Sequence, residues 1–188
     1  IECAVYAVGG WEDGYSNAVA RMLAHLSCPV KGLVGPWGHK YPEQGIPEPA
    51  IGFLQHSLRW WDHWLKGINT GIMDEPAYTM FLQEHVAPDA CLDAVLGKWI
   101  TEPSWPSPRI KTRQLFLNAS GLGYEAEDET LLSHESPQTL GVAGGSWCPY
   151  GLGGVSPDLA VDQREDDGRS LVFDSSPLTD ALVVVGAP

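Results

Sequence analysis

Apolar residues recur along the chain in two rhythms, and the change from one to the other divides it. In the first part, short apolar runs alternate with stretches of helical spacing. Cys3 to Val8 and Val30 to Val34 are runs of the kind that form buried strands. Between them, Tyr15 to Leu26 sets Val19, Met22, Leu23 and Leu26 at i, i+3, i+4 and i+7, along one face of a helix. Ala50 to Lys66 is helical again, with Leu54, Leu58, Trp61 and Leu65 on one face and Phe53, Trp60 and Trp64 beside them, an apolar area suited to domain packing. Strand, helix, strand predicts a right-handed crossover, with parallel strands whose carboxyl ends lie side by side. Beyond Glu75 the pattern becomes short and alternating. Tyr78 to Gln83, Arg113 to Leu117, Ser170 to Phe173 and Leu182 to Val185 read as strands, separated by Gly-, Pro- and Ser-rich connections such as Glu102 to Pro108. An α/β part and then an all-β part are expected. The division, into residues 1–72 and 73–188, falls in the turn-forming stretch Gly67 to Pro76.

The loops leaving the two early strands carry the chemistry. The first strand leads into Gly9-Gly10-Trp11-Glu12-Asp13-Gly14-Tyr15, the second into Gly35-Pro36-Trp37-Gly38-His39. An acid and a histidine therefore stand on neighbouring loops at the carboxyl edge of a parallel sheet, where open α/β sheets place their active sites. Acid before histidine is the order of the last two members of an α/β-hydrolase triad. In such a triad the imidazole activates a hydroxyl while the carboxylate fixes its tautomer and offsets its charge. Ser16, within Gly14-Tyr15-Ser16-Asn17-Ala18, imitates a nucleophile elbow. The preceding strand ends near Val8, however, so no abrupt strand-to-helix turn exposes this serine, and no strand-loop acid stands between it and His39. Ser16 and Asn17 are expected instead to start the helix as short polar residues do.

These segments resemble the CocE/NonD acyl esterases, the group that includes the X-Pro dipeptidyl-peptidases. In that family Gly-Trp-x-Asp-Gly carries the triad acid and Gly-Pro-Trp-x-His the triad histidine, matched here by Gly10 to Gly14 and Gly35 to His39. Leu58-Arg59-Trp60-Trp61-Asp62-His63-Trp64-Leu65-Lys66-Gly67 is similar to the helix closing the family's catalytic domain, and Asp162 to Phe173 to a stretch of its jelly-roll domain. The resemblance implies the C-terminal portion of an α/β-hydrolase domain followed by a jelly-roll β-sandwich, cut short at Pro188. It implies a serine hydrolase acting through an acyl-enzyme on a small-molecule ester or amide, with Asp13 and His39 catalytic. Trp11, Tyr15 and Trp37 are candidates for lining the acyl or alcohol pocket, packing beneath the loops being the alternative. The nucleophile and the oxyanion donors are expected in a missing N-terminal part of the same protein, so that the 188-residue chain alone is inactive. The alternative from another class is a non-catalytic binding or interaction module using the β domain, although a lectin-like module has no use for paired acid and histidine loops.

Composition narrows the partners. The formal charge is −13, against a nucleic-acid partner, since phosphate binding needs clustered Lys and Arg. The acidic excess concentrates beyond Glu75, where Glu125 to Glu129 and Glu165 to Asp167 read as solvated loops. No apolar run is long enough for a membrane span. Cys3, Cys28, Cys91 and Cys148 are widely spread, with no metal-ligand spacing. Cys3 and Cys28, in or beside strands, are expected as buried thiols. His56 and His63 lack a third ligand at helical spacing, and neither a metal nor another cofactor is expected. Oligomeric state and compartment are open, with the cytoplasm favoured over other locations.

Overall fold

A strand covered on both faces has to be apolar or have its buried polar groups paired, and in the run that begins at Val30 the one charged residue, the buried Lys31, donates from Nζ to the Glu75 carbonyl at 2.7 Å. The computed structural model describes residues 1–150 and 158–185. In it β1 (Val5–Gly10) and β2 (Val30–Gly35) pair in parallel from Val5 opposite Val30 to Gly10 opposite Gly35. Every residue from 31 to 38 is buried. The crossover helix α1 (Ser16–His25) lays Val19, Ala20 and Leu23 against Ala7, Val34, Tyr78 and Met80. Each fully buried Val or Leu of this kind contributes about 1.5–3 kcal/mol. The helix can lie this close because residue 32 is glycine: a Cβ there would stand 2.5 Å from Leu23 Cδ1. Helix initiation departs from expectation. Neither Ser16 nor Asn17 caps α1 with its side chain. The turn before it is closed by Asp13, whose carbonyl accepts the Ser16 N–H at 3.0 Å.

The helix α2 (Phe53–Lys66) is amphipathic as the spacing predicts, yet the face expected to pack is the one turned to solvent. Leu54, Leu58, Trp61 and Leu65 are 53–74% exposed, and Trp60 is the residue that α2 buries. Trp60 packs on Tyr6 of β1 at 5.3 Å between ring centroids, with Phe53 on the same tyrosine at 6.4 Å. Periodicity defines an apolar stripe but not what covers it. Gly67, with φ of 69°, ends the helix in the left-handed conformation that glycine adopts without strain.

Beyond α2 the same sheet continues. β3 (Tyr78–Gln83) joins β2 in parallel, Gly32 opposite Tyr78, and β4 (Gly97–Glu102) closes the sheet antiparallel to β3. The strand order is β1-β2-β3-β4, so the sheet runs through the division expected at 72/73. The strand at Tyr78 to Gln83 has its expected bounds, but alternation does not reveal that its neighbour is β2. Glu102, buried at the end of β4, accepts hydrogen bonds from Ser107 Oγ at 2.5 Å and Arg109 Nη2 at 2.7 Å. The Arg109 guanidinium and the Ser107 hydroxyl hold its carboxyl below the usual range.

After β4 the packing thins. The second sheet consists of the short hairpin β5 (Phe116–Asn118) and β6 (Gly121–Gly123), and one turn of helix, α3 (Arg164–Asp167), comes later in the chain. The strands expected at Ser170 to Phe173 and Leu182 to Val185 are not formed, and the one expected from Arg113 to Leu117 is replaced by Phe116–Asn118. Alternation supplies a strand's face, but a ladder also needs a neighbour, and none pairs with those segments among the described residues. A mixed four-stranded sheet plus a two-stranded antiparallel sheet is the observed architecture. Cys3, expected buried, is exposed because it precedes the first residue of β1, and Cys28 is half-buried; all four cysteines are free. Among the described residues no helix is long and apolar enough to cross a membrane.

Candidate active site

Parallel register brings the ends of β1 and β2 level, and the loops that leave them lock together. The Trp11 N–H donates to the Gly35 carbonyl at 2.9 Å and the Glu12 N–H to the Trp37 carbonyl at 3.1 Å. A Cβ on Gly35 or on Gly45 would run into the Trp37 indole, and one on Gly10 into its carbonyl. Trp37 is fully buried, and its Nε1–H donates to the Pro49 carbonyl at 2.9 Å. It therefore forms the support on which the histidine loop rests.

On this support His39 Nδ1 lies 2.9 Å from Asp13 Oδ2. The other carboxylate oxygen accepts the Tyr15 N–H at 3.0 Å, so both oxygens of Asp13 are engaged. The Asp13 side chain is only 12% exposed, while that of His39 is 43% exposed. When Nδ1 carries the proton toward Asp13, Nε2 keeps its lone pair on the accessible side of the ring. The arrangement can orient an imidazole, offset its positive charge and leave one nitrogen to exchange a proton. Glu12, next to Asp13 in sequence, is differently placed: it bonds with Gln83, and burial pushes its carboxyl pKa up.

The candidate pocket residues separate. Tyr15 stands beside the dyad, its ring 6.0 Å from that of His39 and 53% exposed. Trp37 lines the floor of a cleft of about 540 Å³ that also contains Asp13, His39 and Tyr41. Trp11 is not brought to this cleft. Its Nε1–H donates to the Phe81 carbonyl at 2.7 Å, and it lines a separate groove with Met80, Phe81 and Val183 to Val185.

Four neighbours of the dyad escape sequence reasoning, because they come from the distant segment Trp147-Cys148-Pro149-Tyr150. The His39 N–H donates to the Pro149 carbonyl at 2.5 Å. Tyr150 meets the His39 ring edge-on at 5.7 Å and carries Lys40 Nζ 5.6 Å from its own centroid. Trp147 meets Tyr15 edge-on at 5.1 Å. Its carbonyl and indole occupy the space that a Cβ on Gly14 would need, at 2.6 and 2.7 Å. One donor atom each from Asp13, His39 and Cys148 lies within 4.8 Å of the others. The only local signal for this segment is the clustering of Trp, Cys and Tyr in a glycine-rich stretch; nothing in its spacing points to His39.

Comparison with known proteins places the later part of the chain in a family. Residues 70–188 match the X-Pro dipeptidyl-peptidase C-terminal non-catalytic domain, a match that starts after both Asp13 and His39. Over 97% of its length the chain is 30% identical to "Putative serine esterase Mb1866c" of Mycobacterium bovis, and equally to "Putative serine esterase MT1883" of Mycobacterium tuberculosis. It spans 29% of the length of these two relatives. Among solved structures, a CocE/NonD family hydrolase from Staphylococcus aureus covers 66% of this chain with 21% of its own, at a TM-score of 0.47 and 14% identity. The chain belongs to the X-Pro dipeptidyl-peptidase C-terminal non-catalytic domain family.

Proposed function

We propose that Asp13 and His39 are the acid and base of a serine-hydrolase triad, and that this chain supplies them to an acyl hydrolase whose nucleophile lies outside these residues. The 2.9 Å contact between His39 Nδ1 and Asp13 Oδ2, with the second carboxylate oxygen held by the Tyr15 N–H, carries this reading. His39 Nε2 takes the proton of a serine hydroxyl as its oxygen attacks the carbonyl carbon of an ester or amide. The tetrahedral adduct collapses, the bond to the alcohol or amine breaks, and the imidazolium returns its proton to that leaving group. A water, deprotonated by the same nitrogen, then releases the acid from the serine. Asp13 holds the tautomer throughout and offsets the imidazolium charge. Tyr15 and Tyr150, flanking the imidazole, supply the apolar surface for the non-reacting part of the substrate. The reading of the later residues as a jelly-roll β domain rests on the resemblance of Asp162 to Phe173.

The test is hydrolysis of a p-nitrophenyl ester by the full-length protein. His39→Ala is expected to lower turnover by roughly 10⁴–10⁶, because triad members act as a unit. Asp13→Asn is expected to lower it by about 10⁴ through the wrong tautomer. Turnover unaffected by His39→Ala would refute the assignment. Fluorophosphonate labelling of the isolated 188-residue chain, lost on Ser16→Ala, would instead make Ser16 the nucleophile.

A further inference from the structure

Beside the dyad stands a third group that acyl transfer does not use. Asp13, His39 and Cys148 each offer one donor atom, and the three atoms lie within 4.8 Å of one another. We propose that these side chains form a binding site for a thiophilic divalent cation, zinc fitting best, and that its occupation switches the dyad off.

The donor set is carboxylate oxygen, imidazole nitrogen and thiolate sulfur, all of which zinc accepts in tetrahedral sites. Zinc holds such atoms at about 2.0–2.3 Å, so ligand atoms around it stand roughly 3.3–3.8 Å apart. Asp13 and His39 are already at 2.9 Å, so adjustments of about an ångström reach that geometry. The position of Cys148 is set by its neighbours on both sides. Trp147 is packed on Tyr15 and against Gly14, and the Pro149 carbonyl accepts the His39 N–H. One residue further, the Tyr150 N–H donates to Asp158 Oδ2 at 2.8 Å while its ring lies edge-on to His39. The thiol is thus half-buried and tethered beside the imidazole.

Charge agrees with this geometry. Carboxylate and thiolate bring two negative charges to a neutral imidazole, which balances a divalent cation inside a chain of net charge −13. Three protein ligands leave one position open for water. A nitrogen or carboxylate committed to the metal can no longer take part in proton transfer. Hydrolysis therefore stops on binding and resumes on chelation.

The experiment uses the full-length protein, stripped of metal and titrated with cobalt chloride and then zinc chloride. Cobalt is expected to raise a near-ultraviolet thiolate-to-metal absorption, which zinc bleaches as it displaces cobalt, while p-nitrophenyl ester hydrolysis falls and EDTA restores it. Cys148→Ser should lose that absorption and bind zinc roughly tenfold or more weakly, yet keep its metal-free hydrolysis and melting temperature. His39→Ala should lose the absorption as well. A cobalt spectrum unchanged by Cys148→Ser, or loss of metal-free hydrolysis in that variant, would overturn the site. The absorption needs no turnover, so its failure and the failure of the triad assignment are read separately.

Discussion

Leu23 and Leu131 are the same side chain in two different settings. Leu23, on α1, is 5% exposed over the sheet; Leu131, beyond the hairpin, is 97% exposed. The contrast extends to their regions. From Val5 to Glu102 four strands and α1 share one core, with α2 packed on Tyr6 through Trp60, whereas from residue 103 to 185 only Ser107, Pro149 and Leu159 are buried among the described residues. Yet the sparse region provides Trp147 to Tyr150, which close around the imidazole held by the dense one. A segment can belong to a site through a few anchored contacts without belonging to the core that builds it.

The largest effect that would sharpen this comparison is on stability. Leu23→Ala removes a side chain packed between α1 and the sheet and is expected to cost about 2–5 kcal/mol. Leu131→Ala is expected to fall within about 0.5 kcal/mol of the parent. Urea unfolding followed by tryptophan fluorescence measures both, and comparable losses would erase the distinction between the regions.

The dense region is legible where local pattern and tertiary outcome coincide. α1 lies one residue inside the expected range at each end, β2 one residue beyond it, and β3 matches it. The dyad is legible for the same reason: two loops leaving adjacent parallel strands have little freedom in where they meet. α2 shows what periodicity omits, since its Leu54, Leu58, Trp61 and Leu65 stripe is regular and nevertheless uncovered. β4 escapes the pattern because Gly97 and Lys98 dilute its alternation, although Trp99, Ile100 and Thr101 favour a strand. The Trp147 to Tyr150 segment is invisible to spacing, for its role depends on a contact across more than half of the chain.

A second, smaller effect probes the contribution of the sparse region to the site. Tyr150→Ala removes the ring that meets His39 edge-on, a contact worth about 0.5–1.5 kcal/mol in aromatic pairs. If the triad assignment holds, KM of the full-length protein should rise about two- to tenfold with kcat nearly unchanged, as when binding common to substrate and transition state is lost. A fall in kcat with constant KM would instead place Tyr150 among the groups that orient the imidazole.

The smallest effect lies beside the acid loop and is a matter of pH. Burial raises the Glu12 carboxyl pKa, so folding disfavours its charged form. That penalty is fully present above the raised folded value and fades as pH falls through it, vanishing below the unfolded value. Glu12→Gln should therefore raise the melting temperature slightly at pH 7 and lose that advantage near pH 4. A variant that melts lower than the parent at pH 7 would show that the Gln83 hydrogen bond outweighs desolvation.

The slot around Trp37 has a consequence for how its signature should be read. Gly35 stands in Gly-Pro-Trp-x-His as a letter of a motif, but Gly45, outside it, is held to hydrogen by the same indole. The unit that has to be kept is therefore a shape, one large ring and the side chains withheld around it. Its written signature stops short of the last residue that keeps the space open.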